Sequence, residues 1–184
     1  MPRYVAFLRG INLGHRRIKM DRLRALFRKL DFEEVETLIA SGNVLFTAPA
    51  RDERLLTQLI ECHLAQSLGY AVDTFIRTRD EIATIAAFKP FSDADLENTA
   101  NTIHVGLLKE PLAAKTAREL TACRTEVDEF FADAREFYWL CRIRSSDSKV
   151  WASRQMKAVA LPSATLRNLK TLRKLSTPTP ISVV

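Results

Sequence analysis

Three observations in the sequence predict an α+β protein built in two halves. Apolar residues recur with period two in short runs and with helical period in longer ones, and the two kinds alternate along the chain. Over the first half the order is strand, helix, strand, strand, helix, strand, which is the split βαβ or ferredoxin-like plan. The second half repeats the β-α-β-β-α order without detectable sequence identity to the first. The expected architecture is therefore two ferredoxin-like β-α-β-β-α-β halves, with antiparallel sheets, helices packed on one face and further helices at the C-terminus.

Each element has a local reason. Arg3 to Leu8 is an apolar strand, and Met20, Leu23, Leu26, Phe27 and Leu30 form one helical stripe with Arg22, Arg24, Arg28 and Lys29 largely outside it. Val35 to Ile39 and Val44 to Thr47 are β-rich runs on either side of Ser41-Gly42-Asn43, a turn triplet. Asp52 caps the next helix, whose apolar face is Leu55, Leu56, Leu59, Ile60 and Leu64, and Gly69 suits its left-handed end. Ala71 to Ile76 closes the first half, and Thr78 to Phe88 is another helix.

Lys89-Pro90-Phe91 and the polar loop SDADLENTAN mark a boundary, giving halves of residues 1–90 and 91–184 that can share one core. Ile103 to Leu108 is a strand, Pro111 to Cys123 a helix, and Thr125 to Phe131 and Glu136 to Arg142 are strands joined near Asp133. Lys149 to Val159 and Ser163 to Leu175 read as helices separated by Pro162, and the tail STPTPISVV reads as extended or poorly ordered.

The composition, 47% hydrophobic and 27% charged over 184 residues, is that of a soluble globular protein. No run approaches the roughly 18 apolar residues of a membrane helix, so no membrane partner is expected and the cytoplasm is the expected compartment. Cys62, Cys123 and Cys141 are odd in number and widely spaced, and read as reduced, buried, small hydrophobes. His15, His63 and His104 are equally scattered. No metal-ligand spacing, cofactor motif or catalytic signature occurs, so neither a cofactor nor a catalytic residue is assigned.

Charge is segregated. Residues 1–30 hold nine Lys/Arg against one Asp, residues 31–140 ten against twenty Asp/Glu, and residues 141–184 nine against one. Two basic ends flank an acidic middle, so the ends either form a surface for an anion or neutralise the middle.

The stretch RGINLGHRRIKM joins the first strand to the first helix, where backbone N–H groups can hold an anion. Its glycines fit neither Gly-x-x-x-x-Gly-Lys-Ser/Thr nor Gly-x-Gly-x-x-Gly. One reading gathers Arg9, Asn12, His15, Arg16, Arg17 and Lys19 around an anion; the other has Gly10 and Asn12 shaping a turn while the cations sit in water. Ser41 and Asn43 could lie beside this loop, because the first and third strands of such a sheet are neighbours, although Ser-Gly-Asn is also ordinary turn chemistry. In the C-terminal segment Leu166, Leu169, Leu172 and Leu175 make a stripe with Arg167, Lys170, Arg173 and Lys174 beside it. Arg167 with Asn168, between Thr165 and Thr171, is the pair that packing and solubility do not require. The candidate anion-binding residues are thus Arg9, Asn12, His15, Lys19, Ser41, Asn43, Arg167, Asn168 and Lys174.

The other candidates carry less. His63 falls near the apolar side of its helix, and His104 alternates with Ile103 and Val105 without an identifiable partner. Asp93, Asp95 and Glu97 read as solubility on a loop, and Phe130, Phe131, Phe137, Tyr138 and Trp139 as core.

Arg9-Gly10-Ile11-Asn12-Leu13-Gly14, Ile18-Lys19-Met20, Ser41-Gly42-Asn43-Val44-Leu45-Phe46, Pro90-Phe91 and Thr165-x-Arg167-Asn168-x-x-Thr171-x-x-Lys174-Leu175, taken in that order, resemble the Domain of Unknown Function 1697 family. The resemblance implies a ferredoxin-like α+β fold in two related parts, found mainly in bacteria, and no activity. This chain departs from the family pattern at His15 and Asp31, where glycine is usual, and at Leu169-Lys170, where Trp-Asn is familiar.

Two functions follow as expectations. The first is a non-catalytic binding protein whose basic ends meet a nucleic acid or other phosphorylated ligand, although Asn43 to Thr47 lacks the aromatic signature of RNA-binding ferredoxin-like sheets. The alternative is a small-molecule enzyme or regulator acting on a phosphorylated or carboxylated metabolite at the RGINLG loop.

Overall fold

The computed structural model describes residues 1–12, 14, 16–38 and 42–177. The chain divides into two compact units, Met1–Ile82 with Leu175–Val184, and Ala83–Lys174.

The first unit runs β1 (Arg3–Leu8), α1 (Met20–Arg28), β2 (Glu33–Leu38), β3 (Asn43–Thr47), α2 (Glu53–Leu68) and β4 (Thr74–Thr78), then the start of α3 (Arg79–Ala87). Its sheet is antiparallel in the order β2-β3-β1-β4. The Asp52 carboxylate accepts from the Arg54 and Leu55 N–H groups, and Gly69 ends α2 at φ 78° with its N–H on the Ala65 carbonyl. Leu23, Leu26 and Phe27 of α1 and Leu56, Ile60 and Leu64 of α2 pack on Tyr4, Ala6, Leu8, Val44, Phe46 and Ile76, all on one face of the sheet. Leu55, expected on that apolar face, is 63% exposed, because its position in the first turn of α2 points away from the sheet. Asp31 takes the left-handed conformation, at φ 58°. The residues Ile39 to Ser41, including part of the expected turn triplet, lie outside the described residues, as do Leu13, His15 and the tail from residue 178.

The second unit holds the remainder of α3, α4 (Asp93–Glu97), β5 (Thr102–Leu108), α5 (Ala114–Ala122), β6 (Asp128–Asp133), β7 (Glu136–Cys141), a single 3-10 turn at Val150–Ala152, α6 (Arg154–Ala158), β8 (Ala164–Asn168) and most of α7 (Leu169–Ser176). Its sheet order, β6-β7-β5-β8, repeats that of the first unit position for position. Leu120 and Cys123 from the α5 end, with Val150, Met156 and Val159, cover Leu108, Phe130, Phe137, Trp139 and Cys141. Gly106 is required here: a Cβ on it would lie 2.1 Å from Phe137 Cζ, so the phenyl ring occupies the space a side chain would need.

Three segments differ from expectation. The expected helix Ser163–Leu175 is a strand followed by a helix, since 164–168 pair with β5 and only 169 onward coil. The expected helix Lys149–Val159 is broken at Ser153, whose extended backbone (ψ 151°) and Oγ, accepting from the Met156 N–H at 3.1 Å, begin α6 afresh. SDADLENTAN is not a plain loop, because Ser92 caps the short α4 through the Asp95 N–H.

Candidate functional site

The N-terminal loop is held at several of its described residues. Arg9 donates its N–H to the Asp73 carbonyl at 2.9 Å and its guanidinium reaches the Asp73 carboxylate at 3.4 Å. Gly10 and Gly14 adopt φ 69° and 60°, the left-handed region that favours glycine. Ile11 and Ile18 are buried at the two ends of the loop, and between them Asn12 Oδ1 accepts from the Ile18 N–H at 2.9 Å. Gly42 closes the neighbouring turn against it: a Cβ there would lie 2.7 Å from Ile11 Cγ2, and its carbonyl accepts from the Leu8 N–H. Asn43 is fully buried and donates Nδ2 to the Leu38 carbonyl.

What this loop presents to solvent is charge. Arg16 lies 4.4 Å over the Tyr70 ring, a cation–π contact, and Arg16, Arg17 and Lys19 are all exposed. The same polarity continues into α1, where Arg22, Arg28 and Lys29 are exposed opposite the buried Leu23, Leu26 and Phe27. Arg24 is engaged, by Asp21 and by Thr37 Oγ1 at 2.7 Å. Residues 14–29 hold seven Lys/Arg and one acid, and that acid is already taken by Arg24. His15 and Ser41, the other two candidates in this region, lie outside the described residues.

In the second unit Arg167 and Asn168 stand at the end of β8, not on a helix. Arg167 is half-buried, donates to Thr165 Oγ1 at 2.7 Å and to the Leu166 carbonyl at 2.9 Å, and burial brings its pKa down to about 10. Asn168 Oδ1 accepts from the Lys170 N–H at 2.8 Å, starting α7. Leu169, Leu172 and Leu175 are buried while Leu166, expected in the same stripe, is 37% exposed because it belongs to the strand. Lys174 is exposed in the last turn of α7.

The structure also gives roles that sequence reasoning missed. Asp95, read as a solubility residue, accepts a two-pronged bond from Arg142, Nε to Oδ1 and Nη2 to Oδ2, both 3.0 Å, and Arg142 also reaches Glu129 at 2.9 Å. The hydrogen bonds from Arg142 and Ser92 hold the Asp95 carboxyl below the usual range. Asp128 is 2% exposed and is satisfied by Trp139 Nε1 at 2.8 Å, Thr125 Oγ1 at 2.9 Å and Ser148 Oγ at 2.9 Å. Neither partnership has a sequence signal, since the partners stand apart in the chain and only the fold joins them. Cys62 is exposed, against expectation, whereas Cys123 and Cys141 are buried and burial pushes both thiols up, away from the reactive thiolate. Phe131 is likewise 38% exposed, while the other four residues of its aromatic group are buried. Among the described residues there is no cluster of three or more His, Cys, Asp or Glu that could hold a metal, and no helix long and apolar enough to cross a membrane.

This pinned RGIN loop, with the Gly42-Asn43 start of the third strand behind it, lies within residues 1–138, which match the family described as Protein of unknown function (DUF1697). The chain belongs to that family. A solved structure, that of the conserved bacterial protein SP0830 from Streptococcus pneumoniae, is similar at TM-score 0.74 and 22% identity, covering 96% of this chain and 97% of that one. At that identity the likeness establishes the shared fold. No curated protein matches the chain. In this DUF1697 chain Gly10, Asn12 and Gly42 build the loop, and the neighbouring cations are what the loop displays.

Proposed function

We propose that this protein is a non-catalytic binding protein for a polyanion, nucleic acid foremost, and that the N-terminal loop and α1 meet the phosphates. The carrying observation is the exposed set Arg16, Arg17, Lys19, Arg22, Arg28 and Lys29, with the single acid of the stretch already held by Arg24. Surface cations without an acid beside them attract polyanions through counterion release, which needs no sequence-specific contact. The Asn12–Ile18 bond and the seating of Arg16 over Tyr70 support this reading, since a cation already held in place loses less side-chain freedom on binding.

The test is fluorescence anisotropy with mixed-sequence DNA and RNA over a range of salt concentrations. Binding should weaken steeply as salt rises, and Arg17→Glu/Lys19→Glu/Lys29→Glu should weaken it at least tenfold and lower the salt slope by about one for each phosphate no longer neutralised. A double reversal on α5, Lys115→Glu/Arg118→Glu, should weaken it far less than Arg17→Glu/Lys19→Glu does. Binding that is absent, insensitive to salt or unmoved by the loop reversal overturns the proposal.

A further inference from the structure

A second site of different chemistry lies in the unit formed by Ala83–Lys174. The loop that follows α4 and the junction of β8 with α7 enclose a cavity of about 220 Å³. That is below the roughly 300–1,000 Å³ of pockets for drug-sized ligands and suits a compact group.

The walls of this cavity are rich in donors. Asn98 and Asn168 both line it, and each has its carbonyl end engaged: Asn98 Oδ1 accepts from the Ala100 N–H at 3.0 Å and Asn168 Oδ1 from the Lys170 N–H at 2.8 Å. The amide end left for a ligand is therefore the NH2 donor in both residues. Lys170 and Arg173, one helical step apart on α7 and so on one face, add two cations, and Thr99 and Thr102 add hydroxyls. Two acids also border the cavity. Asp95 is neutralised by its two-pronged bond from Arg142, and Glu97 is exposed to water.

We propose that this cavity binds the oxyanion group of a small phosphorylated or carboxylated molecule, with Asn98, Asn168, Lys170 and Arg173 as its donors. The chemistry shared by both sources is a compact group of two or three acceptor oxygens carrying negative charge, which matches two fixed amide NH2 groups and two cations. This assignment stands on side chains of the second unit and is independent of the polyanion surface of the first.

Titration calorimetry and thermal shift on the full chain test it, with inorganic phosphate and succinate as probes and sodium chloride at matched ionic strength as control. One or both probes should bind saturably where chloride does not, and the probe that binds more tightly identifies the source as phosphate or carboxylate. Asn168→Asp retains an oxygen to cap Lys170 N–H but replaces the NH2 donor by an anionic oxygen. It should keep the unliganded Tm and weaken the probe at least tenfold, and Asn98→Asp should do the same. Nucleic-acid binding should be unchanged in both variants, so the two proposals fail separately. Absence of saturable binding by either probe, or full binding by Asn168→Asp, overturns the assignment.

Discussion

Arg77 and Arg167 hold the same position in the two units. Each is the fourth residue of its closing strand, each stands opposite a valine of the central strand, Val5 and Val105, and each turns its guanidinium back on the carbonyl before it, Ile76 at 2.7 Å and Leu166 at 2.9 Å. Both strands border their sheets, where backbone carbonyls lack a neighbouring strand and invite another chain. An arginine folded onto such a carbonyl satisfies it from within. Arg77→Met should cost about 2 kcal/mol, since it leaves a buried carbonyl without its charged donor and takes the cation from Glu53, 4.0 Å away. Arg77 is 1% exposed and Arg167 half-buried, so Arg167→Met should cost less. Urea unfolding reads the ranking, and sedimentation should show more self-association in both variants than in the parent.

Asn12 separates loop construction from ligand contact. Its Oδ1 accepts from the Ile18 N–H across the loop, and Asn12→Ala, which removes that bond, should lower stability by about 1 kcal/mol. Nucleic-acid affinity measured well below the Tm should fall no more than a few-fold, because the cations themselves remain. A loss of affinity as large as that of the Arg17/Lys19/Lys29 reversal would make Asn12 a contact residue.

His104 stacks on Trp139 at 5.0 Å, and its buried Nδ1 finds no hydrogen-bond partner. Burial lowers its pKa, so the unfolded chain binds its proton at a higher pH than the folded chain does. Stability should therefore fall as pH drops below the ordinary histidine value of about 6.5, and level off once the folded form also protonates. His104→Phe keeps a ring on Trp139 and removes the titration. Unfolding free energies between pH 7 and pH 5 should then show a shallower acid slope in the variant, by up to one proton; an unchanged slope would mean that His104 does not titrate differently on folding.

Gly106 and Phe137 face each other on neighbouring strands, where the first unit has Ala6 facing Val44. Gly106→Ala drives a methyl into the Phe137 ring and should cost about 2 kcal/mol, as overpacked cores do. Gly106→Ala/Phe137→Val reproduces the first unit's pair and should recover part of that loss. Thermal unfolding of the two single variants and the double gives the coupling.

Local signals in the chain carried the fold a long way. Asp52 and Gly69 bound α2, Asp31 adopts the left-handed turn after α1, and the apolar run at 3–8 and the strand expected at 103–108 are inner strands of the two sheets. These outcomes depend on a residue and its near neighbours, so they are legible in sequence. The loop could be recognised from its glycines, but the reason for Asn12 could not, since the Ile18 N–H it holds is fixed only once Ile11 and Ile18 are buried together.

Where the outcome depends on distant partners, sequence pattern was insufficient. Leu166, Leu169, Leu172 and Leu175 keep one helical spacing across a strand and a helix, and pairing with β5 alone decides that 164–168 extend. Asp95 passes for a solvated carboxylate until the fold brings Arg142 to it from the end of β7. Arg77 and Arg167 share only an aliphatic residue before them and a polar one after, and only the two strand registers show them to be the same residue of a repeated unit. The sequence by itself determined most of the secondary elements, the basic loop and the twofold order of the elements. Tertiary structure alone decided which polar groups meet, because hydrogen bonds and ion pairs act over a few ångströms in space and are blind to separation along the chain.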